Sequence, residues 1–318
     1  MYDKAADAGL SRRGWNDIYF TNRDGLRLYA RHYPAPGSPR RPLVCLAGLT
    51  RNARDFHDLA VSLSDPRGHR REVFALDYRG RGQSQFDSNW RNYTLLSEML
   101  DVIDFMTVMG LHDAALIGTS RGGLIALIMA ALRPTTMGAV ILNDIGPVIE
   151  REGLARIIGY VGRIPLPDSW DAAAHLVKTL NEKHFPAVPE QQWEDIARQW
   201  FNDENGNPAP SYDPELSKAI SVMDGPVPAL WPQFSALARL PLMVLRGQHS
   251  DILSAATVEE MRRRHPDITT HVVSGQGHAP LLKDAQTMST INGFLISTDE
   301  RDQRANPERT GPGIRAYA

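Results

Sequence analysis

The chain has 318 residues, of which 42% are hydrophobic and 23% are charged, a composition typical of a globular protein with a large core and unlike that of a disordered or membrane-embedded chain. Its 35 basic and 37 acidic side chains leave a formal net charge of -2, so no overall field attracts nucleic acid or an anionic membrane. We therefore expect a small-molecule substrate as the partner, with no nucleic acid and no membrane. The sequence leaves open whether the protein is a monomer or a homodimer.

The N-terminus favours a cytoplasmic location, and the single cysteine is interpreted as part of the core. Residues 1–7 mix charges of both signs and contain no apolar stretch of the kind that secretory signals carry. The single cysteine, Cys45, excludes an internal disulfide. It lies in the apolar run 42–47, which is typical of a buried strand, so we interpret it as a packing residue and not as a nucleophile.

The first predicted elements form an antiparallel hairpin, with alternating apolar residues at 17–21 and 26–30 around the turn formers of 22–25. Short continuous apolar runs, typical of strands buried on both faces, follow at 42–47, 72–76, 114–117, 138–142 and 241–245. Stretches with helical spacing lie at 53–64, 94–109, 121–132, 255–264 and 281–295. This alternation of strand and helix predicts an α/β protein with a mostly parallel sheet.

The alternation is interrupted after Pro147. Residues 148–235 contain no comparable strand run but carry aromatic residues among charges and prolines, which predicts an inserted, mainly helical cap. The flanking segments 1–147 and 236–297 would then form the core. Residues 298–318 are polar and charged without an apolar period, and we expect them to form a flexible tail.

The strongest functional signal lies at 118–122, a G-x-S-x-G pentapeptide centred on Ser120 between a buried strand and an apolar helix. In this context the serine lies on a sharp turn from which its hydroxyl projects, because the flanking glycines let the backbone approach closely. The pentapeptide alone is weak evidence, since a serine that only caps a helix gives a similar pattern. Neither phosphate-binding glycine motif fits here, so no nucleotide site is predicted.

A nucleophilic serine requires a histidine to accept its proton and a carboxylate to orient that histidine. Asp251 follows the apolar run 241–245, and His278 follows the run 271–273. The order Ser120, Asp251, His278 is the one expected for this elbow, and the ends of parallel strands meet at one edge of a sheet. We predict these three as the catalytic residues. Singly, a helix cap for Asp251 and a loop position for His278 would be the better interpretations.

Two other residues compete for these roles. Asp144 also lies at a strand end, and it is the alternative acid if Asp251 faces solvent. We expect Asp144 instead to be a structural residue or part of a cap hinge. His249 is a second histidine, but it precedes Asp251 on the same short loop, which is a poor geometry for a base.

A tetrahedral intermediate also requires backbone donors, one of which is the N–H that follows the nucleophile, here that of Arg121. The second is expected from the loop 47–51, where Leu49 is the natural donor and Gly48 permits the approach. A simple glycine turn is the alternative interpretation of this loop.

These residues together resemble the α/β-hydrolase superfamily, in particular its cap-bearing serine esterase and carbon-carbon hydrolase branches, over 15–297. Residues 46–49 are similar to the family's oxyanion loop, and residues 77–84 to its Asp-x-x-Gly-x-Gly-x-Ser loop. The resemblance implies the α/β-hydrolase fold, with a mostly parallel eight-stranded sheet, antiparallel N-terminal strands and an inserted helical cap. Serine in place of aspartate at the elbow argues against the haloalkane dehalogenase and epoxide hydrolase branches.

Two departures from the family pattern concern the substrate. Ala47 stands where the family usually has histidine, and Arg121 where an apolar residue is common. Arg51, Arg79 or Arg121 is therefore a candidate for binding a substrate carboxylate. Pairing of each arginine with a nearby acid such as Asp77 or Asp144 is the favoured interpretation.

We expect a serine hydrolase that cleaves a small carboxylic ester through an acyl-enzyme, with no metal and no organic cofactor. The same three residues also permit cleavage of a carbon-carbon bond, a lactone or a thioester. A catalytically silent ligand-binding protein is the alternative from another class. The aromatic residues of the cap, with Trp170 and Trp231 as candidate substrate contacts, indicate an apolar or aromatic group, or equally the core of the cap itself.

Overall fold

The structure is a computed structural model that describes residues 14–163, 165–221 and 228–305. Two expectations concern residues outside this range: the absence of a secretory signal at 1–7, and the part of the expected flexible tail at 306–318. The strands are β1 (Asn16–Thr21), β2 (Arg27–Tyr33), β3 (Leu43–Leu46), β4 (Val73–Asp77), β5 (Ala114–Thr119), β6 (Met137–Asn143), β7 (Asn202–Glu204), β8 (Asn207–Ala209), β9 (Leu242–Gly247) and β10 (Ile268–Val273). The α-helices are α1 (His57–Ser64), α2 (Leu95–Val108), α3 (Arg121–Leu132), α4 (Arg151–Tyr160), α5 (Trp170–Asn181), α6 (Gln192–Trp200), α7 (Leu216–Ser221), α8 (Trp231–Ala236), α9 (Ala255–Arg264) and α10 (Ala285–Ala305).

Eight strands form one sheet in the order β1-β2-β4-β3-β5-β6-β9-β10. Strand β2 pairs antiparallel with both β1 and β4, and the remaining neighbours are parallel. This arrangement confirms the predicted fold class, a mostly parallel eight-stranded sheet with antiparallel N-terminal strands. The carboxyl ends of β3, β5, β6, β9 and β10 therefore lie at one edge.

The central strands are buried on both faces, as their uninterrupted apolar sequences predict. Successive side chains of β3 point to opposite sides of the sheet, so Val44 and Leu46 belong to one hydrophobic cluster and Leu43 and Cys45 to the other. Cys45 is fully buried, and this burial raises the pKa of its thiol. It packs in the core, as the sequence pattern predicts.

Between β6 and β9 the chain forms α4 to α8 and the small β7–β8 hairpin, and we call residues 148–235 the insertion. Part of it has a core of its own, composed of Ala173, Val177, Phe185, Trp193, Ile196 and Ala197. Backbone hydrogen bonds join it to the loop after β4: the N–H of Gly82 donates to the carbonyl of Ser211 (2.7 Å), and that of Asp213 to Gly80 (2.8 Å). The insertion is thus both self-packed and tied to the sheet. The three-residue strands of its hairpin were too short to predict from pattern.

The expected boundary of the flexible tail at residue 298 is wrong. Helix α10 continues to Ala305, and Thr298 and Asp299 are buried. Asp299 accepts a hydrogen bond from the fully buried guanidinium of Arg71 at 2.6 Å. Arg71, which is far away in the chain, therefore stabilises the segment around Asp299. The polar sequence of that segment does not indicate that it packs against the core. Within the described residues, no helix combines the length and apolar character needed to cross a bilayer.

Candidate active site

Ser120 lies on the sharp turn between β5 and α3, with φ 51 and ψ -112. This left-handed conformation is strained for a residue with a side chain and is typical of functional turns. A Cβ at Gly118 would overlap the backbone of Gly122, and a Cβ at Gly122 would overlap the carbonyl group of Leu46. The two glycines are therefore required for the turn, which projects the serine side chain from the sheet edge.

His278 lies on the loop between β10 and α10 and connects the serine to a carboxylate. Its Nε2 atom is 2.9 Å from Oγ of Ser120, and its Nδ1 atom is 2.7 Å from Oδ2 of Asp144. When Nδ1–H donates to the carboxylate, Nε2 is the basic nitrogen that can accept the serine proton. The predicted serine and histidine are thus brought together.

The carboxylate beside His278 belongs to Asp144, and the prediction of Asp251 for this position is wrong. Asp144 follows β6 directly, has φ 56 and is fully buried. Its carboxylate also accepts hydrogen bonds from the N–H of Gly247 at 2.8 Å and the hydroxyl of Ser250 at 2.6 Å. These donors orient the carboxylate towards the imidazole. The order serine, aspartate, histidine along the chain is preserved.

Asp251 is instead bound to the insertion. Arg156 of α4 donates to its two oxygens at 2.6 and 2.9 Å. Burial opposes ionisation of Asp251, but the hydrogen bonds and charge of Arg156 outweigh it and hold the pKa of Asp251 below its ordinary value. A Cβ at Gly153 would overlap the carbonyl of Asp251, so α4 packs closely against this loop. His249, on the same loop, does not line the cavity around Ser120.

A cavity of about 110 Å³ opens above the serine. The sheet edge contributes Ser120, His278 and the loop after β3, and the insertion contributes mainly aromatic and aliphatic side chains. The insertion side consists of Ile157, Tyr160, Asn181, Phe185, Trp193, Ile196, Gln199 and Trp200. Arg51 and Asp55 also line it. An apolar pocket with a few convergent polar groups is typical of a small-molecule site.

The family model for the alpha/beta hydrolase fold matches residues 41–285. The chain belongs to the α/β-hydrolase fold family. It is 30% identical over 284 residues to a 3-hydroxybutyrate-oligomer hydrolase of Cupriavidus necator, covering 85% of this chain and 94% of the relative. A 2-(acetamidomethylene)succinate hydrolase of Mesorhizobium japonicum is 26% identical over 251 residues, covering 78% of this chain and 85% of the relative. The crystal structure of an α/β hydrolase from Novosphingobium aromaticivorans is similar with a TM-score of 0.82 and 36% identity, covering 89% of this chain and 98% of that one.

In this α/β hydrolase the two predicted backbone donors belong to the first residue of α3 and to the loop after β3, two segments that adjoin the serine. Arg121 is the first residue of α3, where backbone N–H groups lack helical partners and the helix dipole favours negative charge. Leu49 lies on the loop after β3 and lines the cavity. The guanidinium of Arg81 donates through Nε to the carbonyl of Leu49 at 3.0 Å. This bond holds the loop in place, and the role of both amides at an oxyanion stays a prediction.

A buried charge cluster behind these donors was missed at the sequence level. Glu98 of α2 accepts from Nε of Arg121 at 2.5 Å and pairs with Nη1 of Arg81 at 2.8 Å. Glu98 and Arg81 are fully buried. Burial disfavours the charge on Glu98, but the two arginines lower its pKa below the ordinary value. Arg81 was visible within the 77–84 loop, whereas a glutamate on an amphipathic helix is normally exposed.

The candidate substrate-binding arginines are paired with acids, although not with Asp77 or Asp144. Arg79 is buried and bridges three carboxylates, those of Asp24, Asp87 and Asp101, so its assignment as a substrate contact is wrong. The side chain of Arg121 is engaged by Glu98. Only Arg51 lines the cavity, where it pairs with Asp55.

Asp77 has a backbone role instead of an arginine partner. It accepts hydrogen bonds from the N–H groups of Ala53 at 2.6 Å and Gln83 at 2.8 Å. Burial raises the pKa of Asp77 to about 6, against the opposing effect of these two bonds. The residue therefore organises the loops on either side of β4.

The candidate tryptophans do not line the cavity. Trp170 packs beside the core of the insertion and donates from Nε1 to the carbonyl of Gly206 at 2.9 Å. Trp231 contacts Phe234 edge to face, with ring centres 5.6 Å apart. Their assignment as substrate contacts is therefore wrong, whereas Trp193 and Trp200 do line the cavity. Helical periodicity alone did not distinguish rings that face the sheet edge from rings that pack within the insertion.

Proposed function

We propose that this protein is a serine hydrolase that cleaves a small carboxylic ester through an acyl-enzyme. Ser120 is the nucleophile, His278 the general base and acid, and Asp144 the residue that orients the imidazole. The observation that carries the proposal is the unbroken line of hydrogen bonds from Ser120 through His278 to Asp144, with distances of 2.9 and 2.7 Å. Geometry of this kind is how such sites are recognised across unrelated proteins.

In acylation, Oγ of Ser120 attacks the ester carbonyl carbon while Nε2 of His278 takes the hydroxyl proton. Asp144 stabilises the resulting imidazolium. The carbonyl oxygen becomes an oxyanion, for which the amides of Leu49 and Arg121 are the proposed donors. When the intermediate collapses, the bond between the carbonyl carbon and the alcohol oxygen breaks, and His278 protonates the departing alcohol.

Deacylation repeats these steps with water as the nucleophile. His278 accepts a proton from water as the water oxygen attacks the acyl carbon, and it returns that proton to Oγ of Ser120 when the acyl bond breaks. The carboxylic acid leaves, and the serine hydroxyl is restored. Apart from the ester and one water molecule, these steps use only groups of the chain.

The surroundings of the serine support an ester of short, largely apolar groups. The cavity beside the serine has a volume of about 110 Å³ and mainly apolar walls, which favours compact groups next to the ester bond that is cleaved. We propose that the insertion is a cap that supplies the phenylalanine, tyrosine and tryptophan side chains of these walls. The name of the Cupriavidus necator relative, a hydrolase of 3-hydroxybutyrate oligomers, supports esters of short hydroxy acids as the substrate class.

The test is hydrolysis of p-nitrophenyl acetate by the wild type and by Ser120→Ala. The variant should lose activity by about 10⁴-fold or more while keeping its fold by circular dichroism. Ser235→Ala, which changes an exposed serine of α8, serves as the control and should retain full activity. A fluorophosphonate probe should label the wild type and not Ser120→Ala. Hydrolysis by Ser120→Ala at the wild-type rate would contradict the proposal.

Lactone, thioester and vinylogous diketone substrates assayed beside the ester separate the other reactions open to the same three residues. The ester should give the highest kcat/KM of the four. A strong preference for the diketone would replace the ester proposal with carbon-carbon bond cleavage.

A further inference from the structure

A second cavity of about 110 Å³ adjoins the one above Ser120. The two cavities share four lining residues, Thr50, Arg51, Tyr160 and Trp200. Because these residues line both cavities, a single layer of side chains separates them. A substrate that extends from the serine past this layer enters the second cavity.

The remaining walls of the second cavity come from the insertion and are largely apolar. They consist of Gly162, Leu166, Phe201, Pro210, Ser211, Tyr212 and Pro214. None of the groups proposed for catalysis lines it. Leu166 is 54% exposed, although it belongs to this apolar wall. The second cavity therefore provides mainly apolar contact area for a ligand and none of the residues proposed for catalysis.

Arg51 is the charged residue among the four that line both cavities. A methyl group at Gly48 would lie 3.2 Å from Cγ of Arg51 and 4.0 Å from Cβ of Ser120, so these two side chains flank the same glycine. The guanidinium carbon lies 4.6 Å from the centre of the Trp200 ring. The charged group is thus held at the partition, a short distance from the serine.

The hydrogen bonds of Arg51 determine which ligand group it can take. Its Nε and Nη2 donate to the carboxylate of Asp55 at 2.9 and 2.5 Å. Its Nη1 donates to no acceptor among the residues that the structure describes. Because Asp55 balances the charge, the free donor suits a neutral carbonyl oxygen better than a second carboxylate.

We propose that the second cavity is a distal subsite that binds the neighbouring unit of a linear oligoester of short hydroxy acids. Arg51 donates from Nη1 to the ester carbonyl of that unit, and the apolar walls contact its hydrocarbon part. This inference rests on the proposed ester hydrolysis at Ser120. It adds that the enzyme prefers a chain of at least two ester units to a single short ester.

The test compares kcat/KM for methyl 3-hydroxybutyrate, which has one ester unit, with kcat/KM for a methyl-capped linear trimer of 3-hydroxybutyrate, both measured by acid release. The wild type should prefer the trimer. Leu166→Trp fills the second cavity and should lower the trimer-to-monomer ratio about tenfold, since apolar contacts of a methylene or more change specificity by this amount. Leu96→Trp changes a leucine of α2 that is 53% exposed, and it should leave the ratio unchanged.

A second variant examines the polar contact and keeps the charge balanced. The double variant Arg51→Met with Asp55→Asn should lower the same ratio about fivefold, mainly through a higher KM for the trimer, because one hydrogen bond to the carbonyl is lost. This variant changes the side of the subsite that the sheet edge contributes. The proposal can therefore still be tested if Leu166→Trp fails to fold.

The outcomes separate the subsite from the catalytic proposal. A wild type that hydrolyses methyl 3-hydroxybutyrate but shows no preference for the trimer would overturn the subsite and leave the catalytic proposal intact. An unchanged ratio in the folded Leu166→Trp or in the double variant would do the same. Failure of the wild type to hydrolyse either ester would instead refute ester hydrolysis at Ser120.

Discussion

The Nδ1 atom of His278 lies 2.7 Å from the carboxylate of Asp144, the residue that directly follows β6. Asp251, one strand further along the sheet, is engaged by Arg156 of the insertion. The two aspartates therefore have separable roles, one at the imidazole and one at the contact between insertion and core.

Replacement of Asp144 by asparagine should lower kcat by about 10⁴-fold, because the amide can donate to Nδ1 and stabilise the wrong imidazole tautomer. Asp251→Asn should lower kcat by less than tenfold. Steady-state hydrolysis of p-nitrophenyl acetate measures both variants, with labelling by a fluorophosphonate as a second readout. A greater loss in Asp251→Asn than in Asp144→Asn would show that the geometry at His278 does not operate in catalysis.

The pair between Asp251 and Arg156 should make stability depend on pH in the acidic range. The pKa of Asp251 is lower in the fold than its ordinary value of 3.8. The stabilisation is therefore complete above about pH 4 and is lost as the pH falls through the folded-state pKa. Urea unfolding at a series of pH values should show a difference between wild type and Asp251→Asn at pH 7 that shrinks below pH 4.

Glu300→Gln is the control for this series, because its partner Arg304 is highly exposed at a distance of 3.4 Å. It should unfold like the wild type at every pH. A difference between wild type and Asp251→Asn that stayed constant down to pH 2 would contradict a role for the ionised carboxylate.

Glu98→Ala should destabilise the protein by about 3–5 kcal/mol, because it leaves the fully buried Arg81 and the partly buried Arg121 without a compensating charge. Equilibrium unfolding in urea measures this change. Glu260→Ala removes a glutamate that pairs with Arg263 and Arg264 on the surface of α9, and it should lower the free energy of unfolding much less than Glu98→Ala does. Equal changes in the free energy of unfolding would show that Glu98 contributes no more to stability than an exposed glutamate does.

Gly122→Ala should abolish esterase activity and lower the unfolding temperature, since a Cβ there would overlap the carbonyl group of Leu46. Gly293→Ala provides the opposite case in α10. Nothing lies within 4 Å of a Cβ at Gly293, so alanine should stabilise the helix by about 0.5–1 kcal/mol. Differential scanning calorimetry distinguishes the two, and a Gly122→Ala variant with wild-type melting and activity would refute the close approach at the elbow.

Local sequence signals were sufficient for the fold and for two of the three residues in the hydrogen-bonded line. The strands of the sheet are short apolar runs, and the helices between them have apolar residues at helical spacing. The residues of each of these elements are therefore sufficient to predict it. Helix α9, Ala255–Arg264, has the predicted bounds. The turn at Ser120 is likewise local, because the glycines that it requires lie two residues away on either side. His278 follows a strand that the same patterns identify.

The identity of the acid and of the substrate contacts depended on contacts between residues far apart in the chain. Asp144 and Asp251 both follow strands whose carboxyl ends lie at the same edge, and nothing in their neighbouring residues distinguishes them. The distinction comes from Ser250, which donates to Asp144, and from Arg156, which binds Asp251 across 95 positions. A buried carboxylate needs hydrogen-bond donors in place of water, and for Asp144 these come from Gly247 and Ser250 after folding. The partner of Asp251, Arg156, is brought near by folding of the insertion.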